Sequence, residues 1–461
     1  MKFTVQLVAW TDTGHVETVQ EVAVLEKESE RVEHLGLTLA EAKQLLKRLQ
    51  HHMVERQTTA YLAARAHCQA CGRALRVKEQ TSRTLRTLFG TVVLTSPRLR
   101  HCRCRTRMTT TFRPLRALLP ESTTPELRFI ETQWASLISY GMTARVLKDF
   151  LPLDETLNAT TVQNHTLAVA QRCEEELGKD QEIVADGGPG YPGPSSQLGG
   201  PITVGLDGGY VRDWDQKQRH FEVIVGKSIP TAGPAKYFGF VPTYDTKPTQ
   251  RLCAVLRSQG VHDTQPLTFL SDGGETVRDL PVQLYPQAAH WIEWFHLAMR
   301  VTVLGQYLKG LLRLNREEGE VVQQKLESVK WLLWHGRVGN ALGRLRDLDQ
   351  RIDYFVHSYP RFPQLKKAVQ QFCTYIQNNR SFIPNYGKRY RRGETISTAF
   401  VESTVNSVIS KRFVKRQSMQ WTKRGVHLLL QTRVTTLNNE LSSTFRRWYP
   451  DFQMEEAALA A

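Results

Sequence analysis

Apolar residues change their spacing several times along this chain, and each change marks an element. Met1-Lys2-Phe3-Thr4-Val5-Gln6-Leu7-Val8 alternates as a half-buried strand does, and Thr11-Asp12-Thr13-Gly14 offers a turn, so residues 1 to about 26 predict a hairpin. From Thr38 to about Arg65 the period lengthens, with Leu39, Ala42, Leu45, Leu46 and Leu49 on one side of a predicted helix. Thr91-Val92-Val93-Leu94-Thr95 returns to strand character. Residues 126 to 177 read as helical again, broken near Tyr140-Gly141 and at Leu151-Pro152.

The segment Asp186-Gly187-Gly188-Pro189-Gly190-Tyr191-Pro192-Gly193-Pro194-Ser195-Ser196 has no periodicity and too little apolar surface to bury, which predicts a flexible linker. Short β-type runs follow at Ile202 to Val211, Phe221 to Ile229, Tyr237 to Val241 and Leu267 to Leu270, with a helical stretch at Thr249 to Gln259. Another near Ala288 to Trp291 leads into a long helical region reaching about Ile376. A basic loop is expected over Pro384 to Gly393 and a last helical block from about Ser397. No repeat at solenoid spacing is present.

At 461 residues the chain is long enough for two to four domains, and 41% apolar residues suffices for their cores. Lys and Arg total 61 against 45 Asp and Glu, a net charge of +16, which favours a polyanionic partner, nucleic acid before membrane. A merely soluble basic protein is the plainer alternative. No run approaches 18 apolar residues and the N-terminus lacks a signal peptide's apolar block, so no membrane span and a cytoplasmic location are expected. Of seven cysteines, four fall between Cys68 and Cys104, which fits one local metal site in a reducing compartment better than a disulfide framework.

Two acids share one local design. Asp207 follows the apolar run Ile202-Thr203-Val204-Gly205-Leu206 and precedes Gly208-Gly209; Asp272 follows Leu267-Thr268-Phe269-Leu270-Ser271 and precedes Gly273-Gly274. An acid at the end of a buried strand is costly unless something positive meets it, and adjacent glycines let a backbone or a phosphate approach. Two such strand ends side by side would offer hard oxygen ligands suited to Mg²⁺. Asp-Gly-Gly is also ordinary turn chemistry, so either segment alone reads as turn or as site; their repetition in a basic protein favours a site. Glu402 borders the face formed by Val401, Val405 and Val408 on a predicted helix. Taken alone, such a glutamate is more often a solvated surface residue.

With these residues the chain resembles the DDE transposases of bacterial insertion sequences, most closely the ISKra-type family. The resemblance rests on Gly205-Leu206-Asp207-Gly208-Gly209, Leu270-Ser271-Asp272-Gly273, Trp294-Phe295-His296, and Phe400-Val401-Glu402-Ser403 leading to Met419-Gln420-Trp421. It implies an α/β fold with an RNase H-like catalytic core, a central mixed sheet flanked by helices, and a helical insertion between the second Asp and the Glu. The spacing agrees with it, since 65 residues separate Asp207 from Asp272 but 130 separate Asp272 from Glu402. It also implies that Asp207, Asp272 and Glu402 are the catalytic trio holding two Mg²⁺ or Mn²⁺ ions about 3.5–4 Å apart for DNA cleavage and strand transfer. Terminal inverted repeats and target DNA are the implied partners, met by a homo-oligomer on paired ends at the bacterial nucleoid. Related transposases carry an Asp/Cys-x-x-His pair where this chain reads Glu293-Trp294-Phe295-His296, so Glu293 and His296 become candidate supports of the site; a core or surface His296 is an equal alternative. A catalytically inactive DNA-binding regulator, or a nuclease that hydrolyses without joining, would share these features.

Cys68-Gln69-Ala70-Cys71 and Cys102-Arg103-Cys104 look like the two halves of a zinc ribbon with strands between them, four thiolates giving a tetrahedral structural Zn²⁺ site in which His67 or His101 could replace one ligand. Thr143 to Phe150 and Thr160 to Leu177 could form a helix-turn-helix whose second helix opens on a capping box, Thr160-Thr161-Val162-Gln163. Thr161, Gln163, Asn164 and His165 would then meet base edges, although a purely structural helical pair is nearly as good a reading. Basic runs flank Glu402: Lys388, Arg389, Arg391 and Arg392 before it, and Lys411, Arg412, Lys415 and Arg416 after it, candidates for phosphate contacts. Trp331 and Trp334 are expected in a core rather than as stacking platforms. The expected organisation is residues 1–66, hairpin and helix; 67–120, zinc-ribbon-like; 121–180, helix-turn-helix-like; 181–200, linker; 201–296, first part of the core; 297–393, helical insertion; and 394–461, the C-terminal helical part with Glu402.

Overall fold

The structure, a computed structural model, describes residues 1–10, 13–28, 31–102, 104, 111–177, 200–261, 265–274, 277, 280–281, 288–355, 362–397, 399–414 and 419–455. The expected linker falls almost wholly outside them, as do Lys415 and Arg416. The fold is mixed α/β and divides into two compact units, residues 1–170 with 439–461, and residues 171–438. Among the described residues, no helix is long and apolar enough to cross a membrane.

In the first unit, β1 (Lys2–Trp10) and β2 (Val16–Glu26) form the expected antiparallel hairpin. The helix Leu39–Ala63 starts at Thr38, whose hydroxyl accepts from the Glu41 N–H while the Glu41 carboxylate accepts from the Thr38 N–H, a reciprocal cap. A three-stranded antiparallel sheet follows, β3 (Val77–Thr87), β4 (Gly90–Arg100) and β5 (Thr111–Phe112), its core built by Leu85, Val92 and Leu94 against Val54 and Leu115. Helices span Pro125–Leu137, Tyr140–Phe150 and Ala159–Glu176. The last begins earlier than its sequence suggested: Asn158, not Thr160, caps it, its Oδ1 accepting from the Thr161 N–H at 3.0 Å. The helix Leu441–Trp448 belongs here too, with Leu441, Phe445 and Phe452 closing on Phe129 and Val169. This corrects the assignment of residues 394–461 to a single region: the part from Asn439 onward completes the first unit.

The second unit is organised by a five-stranded mixed sheet of order β10-β9-β6-β7-β8. β7 (His220–Ile229) runs antiparallel to both β6 (Ile202–Arg212) and β8 (Lys236–Phe240). β9 (Leu267–Ser271) and β10 (Ala289–Ile292) extend the other side in parallel. One face is a dry core in which Ile202, Val204, Leu206, Ile224 and Phe269 meet Leu252 and Leu256 of the helix Pro248–Ser258. Because side chains alternate along a strand, Gly205, Asp207 and Gly209 point to the opposite face. There a helix Ala399–Thr404 runs into a π-helical stretch Val405–Val414, and the helix Lys423–Leu437 covers β8. Four long helices, Trp294–Leu314, Arg316–Trp334, Val338–Phe355 and Phe362–Asn378, pack round a common core of Leu304, Leu308, Val329, Leu345 and Val369. The basic run expected as a loop is instead a short helix, Tyr386–Arg391, capped by Asn385.

Candidate active site and metal centres

The parallel register pairs Leu206 with Ser271, so Asp207 and Asp272 are the next positions on adjacent strands, which lie about 4.8 Å apart. Their glycines differ in use. At Asp207 the strand continues through Arg212, and the carboxylate accepts from the Gly208 N–H at 2.8 Å, so this Asp-Gly-Gly is no turn. At Asp272 the turn reading and the site reading both hold: its carboxylate accepts from the Gly274 N–H at 3.0 Å, and Gly273 is left-handed at φ +83°.

Gly205 and Gly209 bracket Asp207 on its own face, and neither leaves room for a phosphate. A Cβ on Gly205 would lie 2.0 Å from Cγ2 of Val401 and 2.7 Å from the Phe400 ring; one on Gly209 would lie 2.7 Å from Cδ1 of Ile409. Their missing side chains bring the helix that carries Glu402 directly onto the strand that carries Asp207. Burial pushes Asp207 up to about 6, reinforced by the negative charges of Asp272, Glu402 and Glu222 and opposed by the Gly208 N–H. The middle of one strand, the end of its parallel neighbour and a helix from far downstream thus bring three acids into one electrostatic neighbourhood. They are not among the groups whose ligand atoms all lie within 4.8 Å of one another. A two-ion site does not require that, since ions about 3.5–4 Å apart spread their ligands over a longer span.

Around Asp272 the helices contribute a supporting layer that no local pattern announced. The Tyr375 hydroxyl donates to the Asp272 carbonyl at 2.6 Å, from 103 residues away. The Arg300 guanidinium lies 4.1 Å over the Tyr375 ring and donates through Nε to His296 Nε2 at 3.1 Å. Burial, then Arg300, lowers the His296 pKa against the pull of Asp272, so His296 serves as a neutral acceptor. Glu293 is buried, its N–H bonded to the Ser271 carbonyl at 3.0 Å, which ties the Glu293-Trp294-Phe295-His296 stretch to the strand before Asp272. Met419-Gln420-Trp421 lies beside the end of β6: Trp421 exchanges backbone bonds with Arg212 and Trp214, and its indole packs on Phe413.

The four cysteines converge. Cys68, Cys71, Cys102 and Cys104 place their sulfurs within 4.8 Å of one another, with 3.6 Å from Cys68 to Cys104 and 3.4 Å from Cys71 to Cys102. Tetrahedral Zn–S bonds of about 2.3 Å require sulfurs roughly 3.8 Å apart, so the cluster can hold zinc with little adjustment. Backbone N–H groups of Ala70 and Cys71 draw Cys68 down to about 6, while the neighbouring thiols push Cys104 up to about 12. Four thiols this close cannot all ionise without a cation among them. No histidine is needed as a ligand, and His101 instead stacks on Phe112 at 4.6 Å.

Glu174, Asp245 and His427 form another close group, one that sequence reasoning missed because its members are scattered along the chain. A cation already sits among them. The Arg251 guanidinium donates to Asp245 at 2.6 Å, to Glu174 at 2.7 and 2.5 Å, and meets His427 Nε2 at 3.0 Å. Burial presses Glu174 toward the neutral acid, yet His427 and Arg251 hold it down at about 2. A metal would have to displace a buried, multiply bonded guanidinium, so we read this group as a structural ion cluster.

Among the expected DNA contacts, Gln163 is half-buried and Asn164 exposed, both open to a ligand, whereas Thr161 is engaged in the helix cap. His165 is corrected: its Nδ1 meets the fully buried Glu131 at 2.5 Å, a pair that holds helix to helix and removes the ring from base reading. Arg412 is corrected as well, because it is 3% exposed and lies over Trp421. Lys388, Arg391, Arg392 and Lys411 are exposed, while Arg389 is shared between Glu394 at 3.1 Å and the Trp291 ring. No protein-family model and no curated protein matches this chain.

Proposed function

We propose that the protein is a metal-dependent DNA strand-transferase, a transposase of the DDE type, with Asp207, Asp272 and Glu402 as its catalytic acids. One observation carries this reading: two aspartates hold adjacent positions on neighbouring parallel strands, Asp207 within β6 and Asp272 just past the end of β9, and a glutamate 130 residues further on adds its charge to theirs. A mixed sheet whose central strand bears the first acid and whose parallel neighbour bears the second is what an RNase H-like core needs. A helical segment lying between the second acid and the third agrees with it.

Two divalent cations held by these acids would supply Lewis acidity at a phosphodiester and stabilise its attacking and leaving oxygens. The chain's own residues prepare that site. Asp207, raised by burial and by like charge, binds a cation by giving up its proton, so binding strengthens as pH rises through about 6. Gly205 and Gly209 fix the separation between strand and helix, and Tyr375 fixes the end of the strand that bears Asp272. The cysteine cluster, holding one structural zinc, and the exposed polar start of the helix Ala159–Glu176 would bind DNA.

The test is strand cleavage and joining by purified protein, with Mg²⁺ or Mn²⁺, on DNA carrying the inverted repeats that flank its gene. Asp207→Asn and Glu402→Gln should each abolish both reactions and leave DNA binding in place. Undiminished cleavage in both variants would overturn the trio. Salt-dependent binding without any metal-dependent chemistry would instead identify a DNA-binding regulator, and hydrolysis without joining a nuclease.

A further inference from the structure

The helices between Asp272 and Glu402 carry a surface that the chemistry above does not use. Trp331 was expected in a core, yet it is 52% exposed, and Tyr390 is 65% exposed. The two rings are joined through half-buried Trp334, with centroids 6.5 Å from Trp331 and 6.1 Å from Tyr390. Trp331 stands outside the helical core, its ring stacked near His335 at 6.5 Å and facing the Lys330 ammonium at 5.9 Å. The helix Arg316–Trp334 buries Val322, Leu326, Val329 and Leu333 on its other side, and Gly387 lets the short helix Tyr386–Arg391 close on the Trp334 indole.

Exposed cations stand on or next to the elements that carry the rings. Lys388 and Arg391 stand on the helix that bears Tyr390, and Arg337 follows Gly336, which abuts the backbone of Pro384 and Asn385. All three are exposed, and among the described residues none of them pairs with a carboxylate. Flat aromatic faces set among unpaired cations suit a polyanion whose units present free π-faces. A duplex hides its base faces in the stack and offers only edges. A second copy of the same surface would bring like charges together.

We infer that Trp331 and Tyr390 form a stacking platform for unpaired DNA, with Lys388, Arg391 and Arg337 holding its phosphates. The assignment rests on the reading that DNA is the substrate, whose processing exposes unpaired strands, but it does not need the acids to be catalytic.

The test therefore uses full-length Asp207→Asn protein without divalent metal, so that binding is read apart from cleavage. Tryptophan quenching and anisotropy would be followed with a labelled single-stranded oligodeoxynucleotide, the matching duplex, and inorganic polyphosphate. Trp331→Ala and Tyr390→Ala should each weaken single-strand binding by roughly 5- to 150-fold, the range for loss of one stacked base. Neither should change polyphosphate binding, and Trp331→Phe should restore most of the loss. Arg391→Ala should weaken all three ligands and lower the salt dependence. Equal single-strand affinity in wild type, Trp331→Ala and Tyr390→Ala would overturn the platform. A Trp331→Ala protein that changes only its sedimentation would assign the surface to contact between copies instead. Loss of binding in both Trp331→Ala and Trp331→Phe, with the fold intact by circular dichroism, would also overturn it, because stacking tolerates another ring. If cleavage of repeat ends fails in wild type while these results hold, the platform stands and the catalytic reading falls.

Discussion

Asp207 shows how one side chain can link stability to chemistry. Its pKa stands at about 6 in the fold against the ordinary 3.8, because burial and three neighbouring acids penalise its charge. Between those values the unfolded chain gives up the proton and the native chain keeps it. The native state is therefore unpenalised at pH 4, loses ground as pH rises, and carries the full cost above pH 6, at most about 3 kcal/mol. Asp207→Asn removes that cost. In metal-free protein it should match wild type in stability near pH 4 and exceed it by about 1–3 kcal/mol at pH 8, measured by denaturant unfolding. A gap that does not change between the two pH values would mean the carboxylate is not strained. Other residues were misread from sequence for one shared reason. His165 and Arg412 look like free polar groups in their own stretches, and only their partners in the fold, Glu131 and Trp421, reveal them as interior.

At the level of elements, the close approach of helix to strand governs the site. Val401 and Phe400 occupy the space that a side chain at position 205 would need. Gly205→Ala should therefore push the Glu402 helix off β6, costing about 1–3 kcal/mol in stability. Strand cleavage should fall much further than stability does. Retained cleavage would show that the helix can shift without moving the acid out of use. Arg433 serves the same helix from behind, donating from Nε to the Val408 carbonyl at 2.8 Å and from Nη2 to that of Ser407, groups left in need of partners where the helix widens into its π form. Most of these elements were legible beforehand. Short β-type runs marked β6, β7, β8 and β9, and helical spacing marked the long helices. β3 was not located, because Val77–Thr87 is largely polar and exposed and lacks the periodicity that betrays a strand. The glycines beside Asp207 were legible as a demand for close approach. Their true neighbour, a helix rather than a phosphate, was not, since it lies nearly 200 positions away.

For the whole molecule, the division into two units predicts two responses to metal loss. The cysteine cluster belongs to the first unit and the acids to the second. Protein purified without chelator should contain about one zinc per chain by metal analysis, and Cys71→Ser should contain much less. Removing zinc should lower the melting temperature of the first unit alone, by roughly 2–4 °C for each kcal/mol lost in a unit of that size. The unfolding of the five-stranded sheet should stay in place. A single transition shifted as a whole would show that the units do not melt separately.

Phe445 and Phe452 close on Phe129, so the first unit is assembled from two segments of the polypeptide separated in sequence by the second unit. During synthesis the ribosome delivers Phe129 more than 300 residues before its covering rings. An emerging chain must therefore carry an unfinished hydrophobic patch through the making of more than 300 residues, which leaves the nascent first unit open to misassembly until the helix Leu441–Trp448 arrives.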